Sequence, residues 1–482
     1  MSWSDVEVAC MSKTYRPYNP NQQLLMPPSM RDWLPEGHLA YFISDTIDEM
    51  DLSEIEGVYE KSLAGYPPYH PRMMVKVLVY AYCTGVFSSR KMARKLDEDV
   101  AFRVLGAENR PDFRTISDFR KLHLAALKKL FVEVLMLCRK AGLARLGHVA
   151  LDGTKQKANA SKHKAMSYSR MKEESARLDS EIAELLSTAR RVDEEEDAKY
   201  GKDARGDELP EELRFREGRL AKIRQAMTEL EAEAQEAAKQ EASEVNSSDD
   251  APKSKKRGRP KKPPSGVPDE KAQKNFTDPE SRIMKSADKS FIQGYNAQAA
   301  VDSDYQVVVA AMVTNQAADS PHVEEMVHRI EENTGELPDE MSLDAGYYSE
   351  ANVEHLEEKK IDVYMPPCRL KHREYREAKP EPVTEASTTR ERMKSKVLTE
   401  EGRARYGLRK ETVEPVFGQI KRCMGFREFS MRGQDACEAE WSLVCAAHNL
   451  LKLFKYGASA MAKQAQEYAA AGQRSDALAV AA

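Results

Sequence analysis

The feature that most constrains this fold is a long interruption between two strand-forming regions. Residues 148–152 (HVALD) form a short apolar run that predicts a strand. The next strand signals, YNAQAAV and YQVVVAAMV, follow only about 140 residues later and are joined through DSD, which predicts a β-hairpin. One sheet can use all of these segments only if the intervening chain loops out of the fold.

The first part of the interruption, residues 166–240, predicts a coiled-coil helical hairpin. Two apolar seams repeat at heptad spacing, and the segment between them (YGKDARGDELPEEL) contains glycines and a proline, which break helices. An antiparallel hairpin projecting from the core is the simplest interpretation, although two short seams could equally pair between subunits. The seam residues are Leu178, Ile182, Leu185, Ala189 and Val192, then Leu220, Ile223, Met227, Leu230 and Ala234.

The second part, residues 241–285, predicts a disordered basic linker because large apolar residues are nearly absent from most of it. Residues 252–264 contain seven basic side chains and no acidic one. The Arg257-Gly258-Arg259-Pro260 sequence resembles the core of an AT-hook, in which arginines enter the minor groove of A·T-rich DNA. We therefore expect Arg257 and Arg259 to contact DNA. A solvating linker, or a chance likeness to a nuclear-import signal, is the alternative.

The order of elements after the interruption predicts the fold class. Residues 286–455 alternate strands and helices, and with the first strand in residues 146–165 this order fits an α/β fold with a mixed sheet and flanking helices. The polar stretch 372–400 predicts a loop. The Ala- and Gln-rich residues 456–482 predict a fraying tail.

The N-terminal residues 1–145 read as an all-helical domain. A short basic helix near residues 88–97 carries Arg90, Lys91 and Arg94, and short helices around a basic one suit a helix-turn-helix-like DNA-binding module. A helical packing domain whose basic face is merely solvated explains the same pattern.

Overall composition gives little sign of a partner, because the net charge is −5. The seven cysteines are widely spaced and form no CxxC pair, which argues against a disulfide framework or a structural zinc site. The N-terminus shows no signal-peptide pattern, and no apolar run approaches the length that spans a bilayer. We therefore expect a cytoplasmic protein with no membrane partner.

Three acidic residues stand where two-metal phosphodiester chemistry would need them. Asp152 and Asp344 each follow a short apolar run, and Glu414 lies in a helical segment with Arg409 and Lys421 nearby. Two metal ions can activate one oxygen and stabilise the departing one, and Mg²⁺ prefers oxygen ligands. Ordinary turn aspartates explain the first two acids as well. For the third position, Glu411 competes with Glu414, whose spacing to Lys421 puts both on one helix face.

The segments around these acids, taken together, resemble the DDE transposases of bacterial insertion sequences. HVALDGTKQKANAS resembles the family's first aspartate segment, and LDAGYYS resembles the turn of its second. QGYNAQAAVDSDYQVVVAAMVTNQAADS resembles its strand hairpin, and RYGLRKETVEPVFGQIKRCMGFREFSMRG resembles the signature around its glutamate. YHPRMMVKVLVYAYCTGVFSSRKMARKL resembles the helical domain before the core. The likeness covers roughly residues 15–455.

The resemblance implies a ribonuclease-H-like core with Asp152, Asp344 and Glu414 as a triad binding two Mg²⁺ ions, with Mn²⁺ as a substitute. Tyr406, Arg409, Glu414 and Lys421 resemble a tyrosine-arginine-glutamate-lysine signature, so Tyr406, Arg409 and Lys421 would contact DNA. Four residues separate Arg409 from Glu414, where the signature usually has three. The insertion after the first strand also departs from the family, which more often carries one before the glutamate.

The resemblance also implies a function. The protein would bind terminal inverted repeats in double-stranded DNA, cleave phosphodiesters and join the 3′-OH ends to target DNA as a homodimer, on the nucleoid in the bacterial cytoplasm. A nonenzymatic DNA-binding protein that keeps the fold, and a nuclease that hydrolyses without strand transfer, are the alternatives.

Overall fold

The computed structural model describes residues 29–59, 67–200, 211–246, 266–286, 288–369, 378–384 and 386–481. The fold is α/β, with helices before the sheet and a helical hairpin that interrupts it, as predicted. The N-terminal helices are α1 Leu39–Asp48, α2 Ser53–Tyr59, α3 Pro71–Cys83, α4 Ser89–Glu98, α5 Val100–Gly106, α6 Phe113–Leu122 and α7 Leu124–Lys140. Among the described residues, no helix combines the length and apolarity needed to cross a bilayer.

The strands form one mixed sheet and one small ribbon. They are β1 His148–Lys157, β2 Ala165–Ser167, β3 Gln273–Asn275, β4 Arg282–Lys285, β5 Phe291–Asp302, β6 Val308–Thr314, β7 Glu340–Leu343 and β8 Asp362–Tyr364. The main sheet runs β4-β5-β1-β7-β8, with β6 also paired to β5. β5 is antiparallel to β1 and β6, whereas β1, β7 and β8 are parallel to one another. This mixed pattern, with helices on its faces, is the ribonuclease-H-like arrangement.

β1 is longer than the sequence predicts. We expected a strand ending at Asp152, but it continues to Lys157 because β5 pairs with it from Val149↔Asp302 to Lys157↔Gly294. The second half of β1 is polar, so no apolar pattern marks it. Asp152 therefore lies in mid-strand, where it is paired with Ala299 of β5 one residue beyond the last pair between β1 and β7.

The insertion leaves and re-enters the core at neighbouring points. β2 and β3 flank it and pair antiparallel, with Ala165 opposite Asn275. Between them lie α8 Tyr168–Tyr200 and α9 Glu211–Asn246. This closure keeps β1 and β5 adjacent across the long interruption.

The two insertion helices pack on each other within one chain. Leu178 of α8 is buried in one cluster with Leu220, Ile223 and Leu230 of α9. Arg224 bonds Asp179 at 2.7 Å, and the Tyr168 hydroxyl donates to Glu231 at 2.6 Å. Partners early in α8 lie late in α9, so the hairpin is antiparallel. The two seams thus pack against each other within this chain.

The described residues after β6 also form the helices α10 Val323–Thr334, α11 Glu350–Glu358, α12 Thr389–Leu398, α13 Glu400–Gly418 and α14 Gln434–Ala481. α12 lies in the stretch predicted to be a loop. The sequence of this helix is polar and shows no apolar pattern that would predict it. A capping box between Thr388 and Glu391 stabilises its first turn. α14 continues through the segment expected to fray. It packs against α7, α3 and β6, so the N-terminal helices share a hydrophobic core with the sheet.

Candidate active site

Asp152 and Asp344 follow paired positions on neighbouring strands. Leu151 of β1 is in parallel register with Leu343 of β7, and each aspartate is the next residue. Adjacent strands lie about 4.8 Å apart, so the two aspartates start from neighbouring backbone positions. Both leucines are buried in the apolar core, and the aspartates that follow them lie outside it. The sheet therefore brings together two acids that are far apart in sequence.

The carboxylate of Asp152 has an unusual electrostatic environment. Its side chain is 22% exposed, and burial raises its pKa to about 6. The nearby guanidinium of Arg409 and the backbone N–H of Gly153 act in the opposite direction, whereas the negative charges of Asp344 and Asp319 raise the pKa further. Several acids and one buried cation thus share this region.

Arg409 connects Asp152 to the helix that carries Glu414. Its Nη1 donates to Oδ2 of Asp152 at 2.7 Å, and its Nη2 lies 3.8 Å from Oε1 of Glu414. The guanidinium also lies 5.8 Å from the centre of the Tyr406 ring. The extra residue between Arg409 and Glu414 does not prevent this contact. Arg409, the signature residue whose spacing departs from the family, is therefore bonded directly to the first aspartate.

A cleft of about 550 Å³ adjoins Arg409, and Asp152 is not among its described lining residues. Asp344, Tyr406, Arg409 and Glu414 are among its lining residues. The side chain of Glu414 is 55% exposed there. Glu411 is not among the described lining residues, and its backbone carbonyl accepts a 2.8 Å bond from Gln306. Of the two competing glutamates, Glu414 is therefore the one that lines the described part of the cleft.

Lys421 reaches β1 from a different element than we expected. α13 contains Pro415 and gives way to a π-helical turn, Gln419–Cys423, so the regular helix spacing does not extend to Lys421. The Lys421 ammonium nevertheless donates to the Thr154 hydroxyl, two residues beyond Asp152. Burial lowers the pKa of Lys421. A cation is thus held along the same strand as the first aspartate.

Asp319 is a fourth acid that sequence reasoning missed. Its Oδ1 accepts from Lys155 at 3.0 Å, Asn296 at 2.7 Å and Gln298 at 2.9 Å. It lies five residues after β6 ends, within the segment NQAADS. An acid shortly after a strand was the signal that marked Asp152 and Asp344, and the same signal could have marked this one.

Gln298 links this fourth acid to the turn that begins at Asp344. The hydroxyl of buried Tyr347 donates to Oε1 of Gln298, whose Nε2 bonds Asp319. Gly153 packs so closely here that a Cβ would lie 2.4 Å from Nε2 of Gln298. Only glycine fits beside Asp152 without displacing this hydrogen-bonded group.

The predicted DNA-contacting residues of α4 do not line this cleft. Arg90, Lys91 and Arg94 are exposed on α4, where Arg94 pairs with Glu98 at 2.7 Å. The guanidinium of Arg90 lies over the Phe113 ring at 5.1 Å. Arg257 and Arg259 of the AT-hook-like segment lie outside the described residues.

Two family models match the chain. Residues 28–122 match "Transposase domain (DUF772)", and residues 257–450 match "Transposase DDE domain". The chain belongs to the DDE-type transposases of insertion sequences. The DDE match of this transposase contains Asp344 and Glu414 but begins after the hairpin insertion, so Asp152 enters the site through the pairing of β1 with β5 and β7. No curated protein and no solved structure matched the chain.

DDE transposases generally use divalent metal ions, and the acids of this transposase suit them in chemistry. Asp152, Asp344 and Glu414 offer carboxylate oxygens, the donors that Mg²⁺ prefers. In the described parts of the chain, however, no three or more His, Cys, Asp or Glu side chains are grouped closely enough to hold an ion. Arg409 contacts both Asp152 and Glu414 instead, and it supplies the positive charge beside these acids.

Proposed function

We propose that this transposase hydrolyses one phosphodiester at each end of its element and joins the freed 3′-OH to target DNA. Water attacks the scissile phosphorus, and the bond to the 3′ oxygen breaks. That 3′-OH then attacks a phosphorus of the target strand and displaces a target 3′ oxygen. The observation that carries the proposal is the placement of Asp152 and Asp344 after paired residues of neighbouring strands, beside Arg409.

In this proposal, Asp152 and Asp344 would hold one Mg²⁺ ion and Glu414 would hold a second. When bound, two such ions, for which Mn²⁺ would substitute, would supply the charge that activates the attacking oxygen and stabilises the departing one. Three converging carboxylates repel one another, so a cation is needed to bring them together. Arg409 lessens this repulsion at Asp152, and its link to Glu414 tethers the third acid near the first.

The cations beside the acids would position the DNA backbone. Arginine can grip a phosphate with two donors, and Arg409 has one Nη on each acid, so it can exchange a carboxylate for a phosphate as DNA enters. Lys421 acts as a point charge beside Thr154, and Tyr406 lies next to Arg409 at the cleft. Both element ends must be held together for joining, so we infer a homodimer on double-stranded DNA.

Recognition of the terminal inverted repeats would use surfaces away from the cleft. Exposed Arg90, Lys91 and Arg94 on α4 supply a basic helix face of the kind that lies against DNA. Arg257 and Arg259 would add a minor-groove contact in the linker. Such contacts to phosphates and grooves orient the enzyme on DNA but leave the chemistry to the acids.

The test is a reaction of the purified full chain with duplexes carrying the element ends, a supercoiled target plasmid and Mg²⁺. We expect cleavage at the ends and covalent joining of the cleaved 3′ ends to the plasmid. Cleavage without joined product would make the protein a hydrolytic nuclease. Specific binding of the ends with no cleavage in either Mg²⁺ or Mn²⁺ would contradict the proposal and leave a nonenzymatic DNA-binding protein.

A further inference from the structure

Two cavities adjoin each other where the hairpin insertion meets the catalytic sheet. The first, of about 570 Å³, is lined by Lys155, Lys157, Lys162 and Lys421 among others. The second, of about 580 Å³, lies between β2 and the base of α8 and α9. His163 lines both, so the two cavities form one continuous surface. Because Lys421 bonds Thr154 of β1, this surface begins beside Asp152.

The surface is strongly basic although the chain as a whole carries a net charge of −5. The second cavity has no acidic lining residue among the described ones, and the first has only Asp288 and Glu428. Six cations on this surface are exposed, and the structure records no ion pair for any of them among its described residues. We name them, with His163, the basic track: Lys157, Lys162, His163, Lys164, Arg170, Arg214 and Lys222.

We propose that the basic track binds the phosphate backbone of the duplex that flanks the scissile bond, so that the hairpin insertion is a DNA-binding arm of the enzyme. The inference rests on the proposed function, because it supposes that the cleft acts on DNA. A concentration of exposed cations on a protein with a net negative charge complements a polyanion. These cations follow one another from the end of β1 to the base of the hairpin. The track therefore extends outward from the acids and is not an isolated patch.

The length of β1 sets where the contact begins. Lys157 is five residues beyond Asp152, a distance of about 17 Å at the rise of a strand. That distance corresponds to about five base pairs of B-form DNA. The track should therefore meet the flanking duplex from about the fifth base pair outward, and duplexes cut shorter on that flank should not reach it.

The experiment compares two variants of the full chain that lose the same charge. The track variant carries Lys162→Gln, Lys164→Gln and Lys222→Gln. The control carries Lys140→Gln, Lys359→Gln and Lys360→Gln, exposed lysines that line neither cavity. Binding is measured over a range of salt concentrations with duplexes that extend about 20 base pairs on either side of the scissile bond. Circular dichroism verifies that both variants fold.

For the track variant we expect about tenfold weaker binding or more, and a slope of log K against log salt that is shallower by about 2–3, since each lost phosphate contact removes about 0.9. The control should bind like the parent chain. Shortening one flank to fewer than about five base pairs should abolish the difference between variant and parent. Equal effects of both variants, or an unchanged slope for the track variant, would overturn the proposal.

Two further arms separate this inference from its alternatives. If the track variant weakens binding only of single-stranded oligonucleotides, the duplex assignment is wrong, and the 72% exposed Phe215 in the second cavity becomes a base-stacking residue. If the parent chain binds duplex through the track but never cleaves it, the inference holds and the proposed function fails. If the track variant binds duplex with parental affinity and still cleaves it, the proposed function holds and the inference about the basic track fails.

Discussion

Arg409 donates a 2.7 Å hydrogen bond to Asp152 across 257 residues of sequence. This contact joins α13 to the central strand of the sheet and places Glu414 on the same side as the first aspartate. It also places a permanent positive charge beside a carboxylate that burial would otherwise favour in its protonated form. The Arg409–Asp152 pair therefore both fixes α13 against the sheet and sets the charge environment of the acidic site.

Replacing Arg409 should slow cleavage, and the loss should be larger when the positive charge is removed than when only the shape of the guanidinium changes. We expect Arg409→Met to slow single-turnover cleavage by about a hundredfold or more, a typical effect of removing one positioned donor. Arg409→Lys should retain an intermediate rate, because a point charge cannot contact Asp152 and Glu414 together. Arg405→Met is the matched control on the same helix, since Arg405 pairs with Glu340 at 3.3 Å. Parental cleavage by Arg409→Met would show that the pair is structural.

A second ion pair, between Arg120 and Glu440, should contribute to the free energy of unfolding of the protein. Arg120 of α6 and Glu440 of α14 are both nearly inaccessible, and the Tyr82 hydroxyl bonds each of them. Arg120→Met should lower the free energy of unfolding by about 3–5 kcal/mol, because it leaves the Glu440 carboxylate buried without a cation. Urea unfolding followed by circular dichroism measures this loss.

The matched control for that experiment is a variant lacking both charges. Arg120→Met combined with Glu440→Leu should be more stable than Arg120→Met alone, since no unpaired charge remains in the core. A loss below about 1 kcal/mol for Arg120→Met would mean that Glu440 is adequately held by its hydrogen bonds from Ser430 and Met431.

Stability should depend on pH through His448. Burial lowers the pKa of this histidine from 6.5 to about 4, and its Nε2 donates to the Gln306 carbonyl at 2.8 Å. The unfolded chain binds a proton near pH 6.5 and the folded chain only near pH 4, so stability is full above 6.5 and falls as pH decreases toward 4. The loss from this residue should be on the order of 3 kcal/mol.

Urea unfolding at several pH values between 7 and 4 tests this dependence. His448→Gln keeps a donor for the carbonyl but cannot titrate, so its stability should fall less steeply with acidification than that of the parent chain. His163→Gln, at an exposed position, is the control and should keep the parental slope. Identical slopes for His448→Gln and the parent would contradict the prediction.

The sequence marked two acids that the sheet places on neighbouring strands, but it did not mark the boundaries of the elements around them. Asp152 and Asp344 follow buried apolar runs, and such runs are a local signal that the sheet then uses. The sequence also predicted the helical hairpin of the insertion, because Leu178 and Leu220 belong to apolar seams with heptad spacing. By contrast, β1 beyond Asp152 and helix α12 have polar sequences, and they form because β5 and a capping box stabilise them.

Long-range contacts account for what the sequence could not predict. The spacing of Arg409 looked unfavourable, yet the contact depends on how α13 crosses β1, which no local pattern records. Lys421 was placed by regular helix geometry, whereas a π-helical turn carries it to Thr154. Asp319 was missed because its three donors come from β1 and β5 and meet only in the folded sheet.

The most direct test of the proposed triad is single-turnover cleavage of element-end DNA by four isosteric variants. We expect Asp152→Asn, Asp344→Asn and Glu414→Gln each to lose about a thousandfold or more in rate, because the three carboxylates act as a unit. Glu411→Gln, one helical turn away, should cleave at the parental rate. Near-parental cleavage by any of the first three would remove that residue from the triad, and a loss confined to Glu411→Gln would make Glu411 the third acid.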